Sequence, residues 1–306
     1  MNKNKILFIR AKLKNDYVFD AIQQYGYKIL MPYKDRNIIL RLMREVWFRL
    51  KLPPKIWFNK AIVQEQVENI IVLDPLITPE LLNWIVEKHP HSRVILDYEN
   101  RADTTISPSV VGNSIEKWSY DKDDCDKYGM KFVHPLYFDI YRFDSRKTGK
   151  KVYDVLYLGR DKGRLKRILD FENELRQIGL KTYFHICADR SYLKYKKSVY
   201  KPVISYSQYL KLMKRSKAIL NIARDGQSSI TQRELEAAFD NIKCITTNIA
   251  IKDFELYDSS RYFILGLDDI KLLQAFLNSE FLPVDEKILD EYKFDLVLLS
   301  EINKVE

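Results

Sequence analysis

Two loops carry residues whose types and spacing can do chemistry. In "YLGRDKGR", residues 157–164, Gly159 and Gly163 bracket Arg160 and Lys162, and Arg164 stands at the start of the following helix. In "ARDGQSSITQRELEAAF", residues 223–239, Arg224, Gly226, Gln227, Ser228, Ser229, Thr231 and Arg233 lead to Glu236. Both stretches lie where a strand passes into a helix. There the first N–H groups of the helix are unpaired and the macrodipole favours an anion. Glycine lets backbone approach a ligand, serine and threonine offer hydroxyls, and an arginine fork holds two phosphate oxygens at once. Phosphate binding is the direct reading. Glu236, roughly a turn and a half into its helix, can accept hydrogen bonds from a ribose diol. A capped surface helix with a solvated Arg/Glu face is the plainer alternative. Neither loop is a G-x-G-x-x-G or Walker A sequence, so dinucleotide and P-loop readings have little support.

Proton transfer would need a carboxylate or histidine near such a site. Asp74 closes the apolar run "NIIVLD", and Asp97 and Glu99 follow in "LDYEN". Asp16, after the first strand, is a further option. Each has a plainer use as a cap for the turn or helix behind it. "DKDD", residues 121–124, contains an Asp-x-Asp of the kind that holds a divalent cation, yet acidic residues also suit a helix start. No other ligand cluster pairs with it, and His89, His91, His134 and His185 lack zinc spacing. No bound metal is expected. No G-x-S-x-G elbow occurs, so a serine hydrolase is unsupported.

The elements that must position these residues alternate. "KILFIR", "YKILM", "NIIVLD", "SRVILDYEN" and "KWSY" read as strands. Helices are expected over "DYVFDAIQQYG" and "TPELLNWIVEKH", the latter capped by Thr78 with Pro79 in its first turn. Residues 144–151, "DSRKTGKK", are polar and glycine-bearing and make the best linker. The alternation then restarts with strands at "YDVLYLG", "LKTYFHI", "KAILNIA", "KCITTN" and "RYFIL", and the tail is mostly helical. The expected fold class is α/β: two doubly wound Rossmann-like domains, residues 1–146 and 147–306, facing across a cleft. The last helices are free to pack back on the first domain.

Composition bounds the rest. The 306 residues are 46% hydrophobic, ample for two cores, and no apolar run approaches the roughly 20 residues of a spanning helix. Three scattered cysteines and a start without a signal-peptide pattern point to the cytoplasm. The net charge is +9, and residues 1–55 hold 13 Lys/Arg against 4 Asp/Glu, so that stretch carries the whole excess. It gathers in residues 36–58, where Arg36, Arg41, Arg44, Arg49, Lys51 and Lys55 interleave with Trp47, Phe48, Trp57 and Phe58. A helix there, basic on one side and aromatic or aliphatic on the other, suits an anionic membrane surface. Arg41, Arg44, Trp47, Phe48 and Arg49 are the expected contacts. An ordinary core-facing helix with a solvated charged side is the other reading. No nucleic-acid module accompanies the patch, and no nucleic-acid partner is expected.

The two-domain layout, with "YLGRDKGR" opening the second half and "GQSSITQRELEAAFDNIKCITTN" following, resembles GT-B glycosyltransferases of bacterial lipopolysaccharide and capsule clusters. Members that build the lipopolysaccharide core are the most alike. The likeness covers residues 152–265; in the first half it rests on the alternation and "WSYDKDD". It implies transfer of a sugar from a nucleotide-sugar donor to a membrane-anchored saccharide, at the inner face of the cytoplasmic membrane, with no cofactor. Glu236, beside Ala237, would bind the donor ribose, and Gly226, Gln227, Ser228 and Ser229 its diphosphate. Thr246, Thr247 and Asn248 would edge the base and ribose. Arg160, Lys162 and Arg233 would stabilise the departing diphosphate, and Asp74, then Glu99 and Asp97, would serve as base. Many retaining members carry a second glutamate eight residues before the first, where this chain has Ser228, so the stereochemistry stays open. A nucleotide-sugar epimerase of the same architecture and a non-catalytic, membrane-associated partner subunit remain as alternatives.

Overall fold

The structure, a computed structural model, describes residues 2–12, 15–35, 37–189, 197–224 and 229–304. Arg36, Gly226, Gln227 and Ser228 therefore lie outside the described residues. The apolar runs of the first half form a six-stranded parallel sheet. Its strands are β1 (Ile6–Ile9), β2 (Lys28–Leu30), β3 (Asn69–Leu73), β4 (Arg93–Tyr98), β5 (Glu116–Ser119) and β6 (Lys131–Phe132). They lie in the order β2-β1-β3-β4-β5-β6, with Leu7 level with Ile70 and Phe8 with Ile71. β1 and β3 are buried at every position, as central strands of a parallel sheet covered on both faces must be, and so read as continuous apolar runs. The helices are α1 (Tyr17–Gln24), α2 (Ile38–Arg49), α3 (Pro79–Lys88) and α4 (Lys122–Tyr128). Asp16, Thr78 and Asp121 cap α1, α3 and α4, each accepting an N–H three residues on. Such a cap contributes about 1 kcal/mol.

The second half repeats the plan with five parallel strands: β7 (Tyr153–Arg160), β8 (Thr182–Cys187), β9 (Ser216–Asn221), β10 (Lys243–Thr246) and β11 (Tyr262–Ile264). Their order is β11-β10-β9-β7-β8. Helices α5 (Leu165–Gln177), α6 (Tyr206–Lys214), α7 (Gln232–Phe239), α8 (Leu273–Asn278) and α9 (Glu286–Asp290) complete it, and most of the last helix, α10 (Phe294–Asn303), belongs to the first unit. Side chains of β7 and β9 alternate between two cores. Leu156 and Ile219 pack with Tyr209, Met213 and Phe239 of α6 and α7. Val155, Ala218 and Leu220 pack with Ile168 and Leu175 of α5 and Leu273 of α8. Each fully buried Val, Leu or Ile among them contributes about 1.5–3 kcal/mol.

The chain divides into two compact units, Met1–His134 with Val297–Glu306, and Pro135–Leu296. The boundary read from composition, 146/147, falls inside the second unit, because residues 137–145 are tied to the end of α7. The Tyr137 ring stacks on Phe239 at 4.1 Å, and its hydroxyl donates to Asp240 at 2.8 Å. The Ser145 N–H donates to the Asp240 carbonyl at 2.7 Å. Among the described residues no helix is long and apolar enough to cross a membrane.

Candidate functional site

In both sheets the first strand lies between the second and third, so the chain reverses its winding direction beside that strand. Doubly wound folds take ligands outside the carboxyl ends of the strands at such a reversal. In the second unit the reversal lies between β7 and β9. The two loops with candidate phosphate-binding residues leave those same two strands.

The β7 loop is built to hold cations in a fixed turn. Asp161, fully buried, accepts the Asp189 N–H at 2.9 Å and the Tyr200 hydroxyl at 3.1 Å. Lys162 and Gly163 follow with φ of 43° and 79°. The left-handed conformation suits Gly163, but for Lys162 it costs roughly 1–2 kcal/mol. Gly159 has another reason: a Cβ there would lie 3.0 Å from the Tyr157 hydroxyl, so the glycine makes room for that ring. Arg160 donates to the Ala188 carbonyl at 3.0 Å, and Arg164 reaches across to the carbonyl of Ile222 just past β9. Arg224 is half-buried two residues further on. Lost solvation and repulsion by Arg224, Arg164 and Arg160 push the Lys162 ammonium down to about 8, against the pull of Asp189.

The start of α7 is held from below. The buried Glu234 carboxylate accepts the Thr231 N–H at 2.7 Å, Asn221 at 3.0 Å, Thr246 at 2.8 Å and Asn248 at 3.1 Å. Thr247 accepts the Ala223 N–H at 2.9 Å, which ties the ends of β9 and β10. Ser229 is fully buried, and its carbonyl accepts from Asn248 at 3.1 Å.

Glu236 is fully buried too. It accepts the Tyr206 hydroxyl at 3.1 Å, the Tyr209 hydroxyl at 2.8 Å and Arg233 at 2.5 Å. Both carboxylate oxygens are engaged, which makes Glu236 the anchor of Arg233. The Arg233 guanidinium also lies 4.1 Å over the Tyr209 ring and donates to the Leu158 carbonyl at 3.3 Å. Burial opposes its charge, but Glu236 outweighs that and holds its pKa above the ordinary arginine value.

At the corresponding reversal of the first unit, between β1 and β3, four carboxyl groups, Asp16, Asp74, Asp97 and Glu99, surround one buried arginine. Arg10, just past β1, is buried and forms ion pairs with Asp16 at 2.9 Å and with Glu99. Asp74, just past β3, is fully buried and accepts the Glu99 N–H at 2.9 Å and Asn100 at 3.4 Å. It thus pins the loop after β4. Its own N–H donates to the Asp97 carbonyl at 3.1 Å. Burial pushes Asp74 up to about 7, partly offset by Thr105, Asn100 and Arg10. Asp97 is raised to about 7 by burial and then by the neighbouring Asp74 charge. Among the described residues no side-chain hydrogen bond to the Asp97 carboxylate is found.

No protein-family model matches this sequence, and no curated protein sequence does. Likeness appears in solved structures. AviGT4, a glycosyltransferase involved in avilamycin A biosynthesis, aligns over 97% of this chain and 96% of its own at 12% identity, with a TM-score of 0.58. The apo lipopolysaccharide outer core galactosyltransferase WaaB aligns over 97% of this chain and 98% of its own at 13% identity, with a TM-score of 0.49. The shared property is the fold. The α/β class expected from the sequence, two doubly wound Rossmann-like units of the GT-B type, holds.

Several sequence readings meet a definite environment. Two of the three carboxylates of "DKDD" serve the local frame: Asp121 caps α4 and Asp124 accepts the Ala102 N–H at 2.7 Å, while Asp123 is exposed. Among the described residues no group of three or more His, Cys, Asp or Glu is placed to hold a metal ion. Cys125, Cys187 and Cys244 are free and buried. The arginine expected in the middle of the membrane-facing set is turned inward. Arg44 is 4% exposed, paired with Asp35 at 3.2 Å and stacked 4.2 Å over Tyr33, because the Tyr33 and Phe48 rings offer its guanidinium a sheltered aromatic seat. Trp47 donates to the Pro53 carbonyl at 3.0 Å, and Phe48 packs partly into the core. Arg41 and Arg49 remain on the accessible side. Sequence reasoning passed over Arg10 and Tyr209. A charge directly after the fully buried "ILFI" was a signal for Arg10; Tyr209 lies in an ordinary amphipathic helix and gave none.

Proposed function

We propose that this chain is a glycosyltransferase whose second unit holds the diphosphate of a nucleotide-sugar donor. The observation that carries the reading is the gathering of Arg160, Lys162, Arg164 and Arg224 at the β7/β9 reversal, where burial first, and then repulsion by the three arginines, lowers the Lys162 pKa to about 8. Like charges held together at a ligand-binding position favour a multiply charged anion, and diphosphate matches an arginine-rich edge. The fold shared with AviGT4 and the resemblance of residues 152–265 to transferases of surface polysaccharides support sugar transfer as the reaction.

In the proposed reaction an acceptor hydroxyl attacks the anomeric carbon, the bond from that carbon to the diphosphate oxygen breaks, and the nucleoside diphosphate leaves. The cationic edge stabilises the charge that develops on the diphosphate. The hydroxyl proton passes to a carboxylate base. Asp97 suits that task better than Asp74 or Glu99. Asp74 is fully buried and engaged with the β4 loop, and Glu99 is paired with Arg10, whereas Asp97 is partly accessible and titrates near neutrality. The reading includes a hexosyl or deoxyhexosyl donor, no metal, and a lipid-linked saccharide acceptor of lipopolysaccharide core or other surface polysaccharide. It also includes a peripheral position on the inner face of the cytoplasmic membrane.

The test is a thermal-shift screen against UDP, GDP, CDP, dTDP and ADP and their sugars, with and without EDTA. A ligand at about a hundred times its dissociation constant adds roughly 2.7 kcal/mol of stability. The expected result is a shift by one nucleotide family, unchanged by EDTA and lost in Arg224→Glu. A screen without any shift would overturn the donor site.

A further inference from the structure

Helix α2 is inside out. At about 100° per residue, Ile38, Ile39, Leu42, Met43, Val46 and Leu50 fall within an arc of about 140°. Each of the six is between 54% and 74% exposed. The opposite arc, which meets the protein, carries Arg44 at 4% exposure, with Trp47 and Phe48 beside it. The arginine is held there by Asp35 and by the Tyr33 and Phe48 rings. Asn37 caps the helix, accepting the Leu40 N–H at 2.9 Å. The aliphatic face is thus presented by a braced helix. Exposed cations gather at its C-terminal end: Arg49, which falls inside the arc in the last turn, then Lys51 and, paired with Glu87 at 3.5 Å, Lys55 past the helix, with Arg41 at the edge beside Glu45. Leu52 and Ile56 continue the exposed apolar surface past the helix end.

We infer that this face inserts into an anionic lipid surface, the aliphatic side chains entering the acyl boundary and the Arg/Lys cluster meeting the headgroups. It gives a surface to the membrane position proposed above, and it stands on the geometry of α2, independent of nucleotide binding by the second unit. Charge complementarity favours lipid over a second copy. A symmetric pairing through this stripe would bring the same cations together. The stripe is also small: about 18 Å by 10 Å is on the order of 200 Å², against about 800 Å² per partner in a stable protein interface. A lipid surface requires no matching area, and basic amphipathic helices lie in the interfacial plane by these same two terms.

The experiment is co-sedimentation of the full chain with phosphatidylcholine vesicles and with mixed phosphatidylcholine–phosphatidylglycerol vesicles. Size-exclusion chromatography with light scattering and a nucleotide thermal shift run alongside. Binding is expected to the mixed vesicles only. It should weaken at least about tenfold in Leu42→Ser/Met43→Ser/Val46→Ser, whose three positions are exposed, and to a similar degree in Arg49→Glu/Lys51→Glu. The nucleotide response of these variants should match that of the parent chain, which separates this inference from the donor site. Unchanged vesicle binding in the triple serine variant would overturn it. So would a dimer that this variant dissolves in the absence of vesicle binding, because the face would then be a contact between copies. Failure of the parent chain to bind either vesicle would overturn it as well.

Discussion

The carboxyl edges of the two sheets share one topology and carry opposite charge. At β1/β3, Arg10 is buried between Asp16 and Glu99, while Asp74 and Asp97 are held near neutral pKa. At β7/β9, Arg160, Lys162, Arg164 and Arg224 crowd together, with Asp189 as the opposing charge on Lys162. Asp161, the acid nearest in sequence, is spent on the Asp189 N–H and the Tyr200 hydroxyl. Winding order selects where a ligand sits, and the side chains at that place select its charge. Under the proposed function, one edge would hold or pass a proton and the other would receive an anion. The same unit also shows two glutamates on one helix with different duties. Glu234 fastens the strand ends, and Glu236 fastens Arg233.

Four changes would break or sharpen that comparison. The largest effect is expected from Glu236→Ala, which strips the mostly buried Arg233 of its partner and leaves the Tyr206 and Tyr209 hydroxyls without their acceptor. A loss of about 3–5 kcal/mol in urea unfolding is expected. A variant of parental stability that has lost nucleotide binding would instead make Glu236 a ligand group. Next, Arg224→Glu should lower nucleoside diphosphate affinity by at least about tenfold, or about 1.4 kcal/mol, by calorimetry. Unchanged affinity would show that the cationic edge is not the anion site.

Lys162→Gln should act in two directions, raising the melting temperature of the free protein slightly and weakening nucleotide several-fold. Because the folded pKa of Lys162 is lowered to about 8, the unfolded chain binds more protons above that pH. The free protein therefore gains stability as pH rises from about 8 toward the ordinary lysine value. A bound anion favours the charged lysine, so affinity should be full below about 8, fall above it, and lose that dependence in the variant.

The smallest change concerns Asp97→Asn and the pH dependence of stability. Raised to about 7 in the folded state, Asp97 keeps a proton there that the unfolded chain has already released. Its contribution is present at acid pH and is lost as pH rises from about 4 to about 7. Asp97→Asn should flatten that slope in chemical unfolding. An unaltered slope would remove Asp97 as the group poised near neutrality.

Much of the frame was legible before any coordinates. Continuous apolar runs such as "KILFIR" and "NIIVLD" announce buried parallel strands, and the alternation of strands with helices implies two doubly wound units. Thr78 with Pro79 and Asp121 before Lys122 marked helix starts that the structure shows capped. The position of the two glycine- and arginine-bearing loops after strands was legible as well, since "YDVLYLG" and "KAILNIA" read as strands and form β7 and β9. The pairing of charges was not. Arg10 with Glu99 spans 89 positions, and Tyr209 with Glu236 spans 27. Residue type says that a carboxylate needs a partner but not which distant group folding brings to it.

Helix α2 divides the two kinds of knowledge most clearly. Sequence alone marked residues 36–58 as a basic amphipathic segment, with a basic side against an aromatic or aliphatic one; the helix that forms is Ile38–Arg49, with Phe48 on the side of Arg44. Which side faces outward was decided by the tertiary structure. The Tyr33 and Phe48 rings and Asp35 make a seat in which a guanidinium is stacked and paired, so Arg44 goes in and the aliphatics stay out. Periodicity assigns residues to faces, and only the surface a helix packs against determines which face is buried.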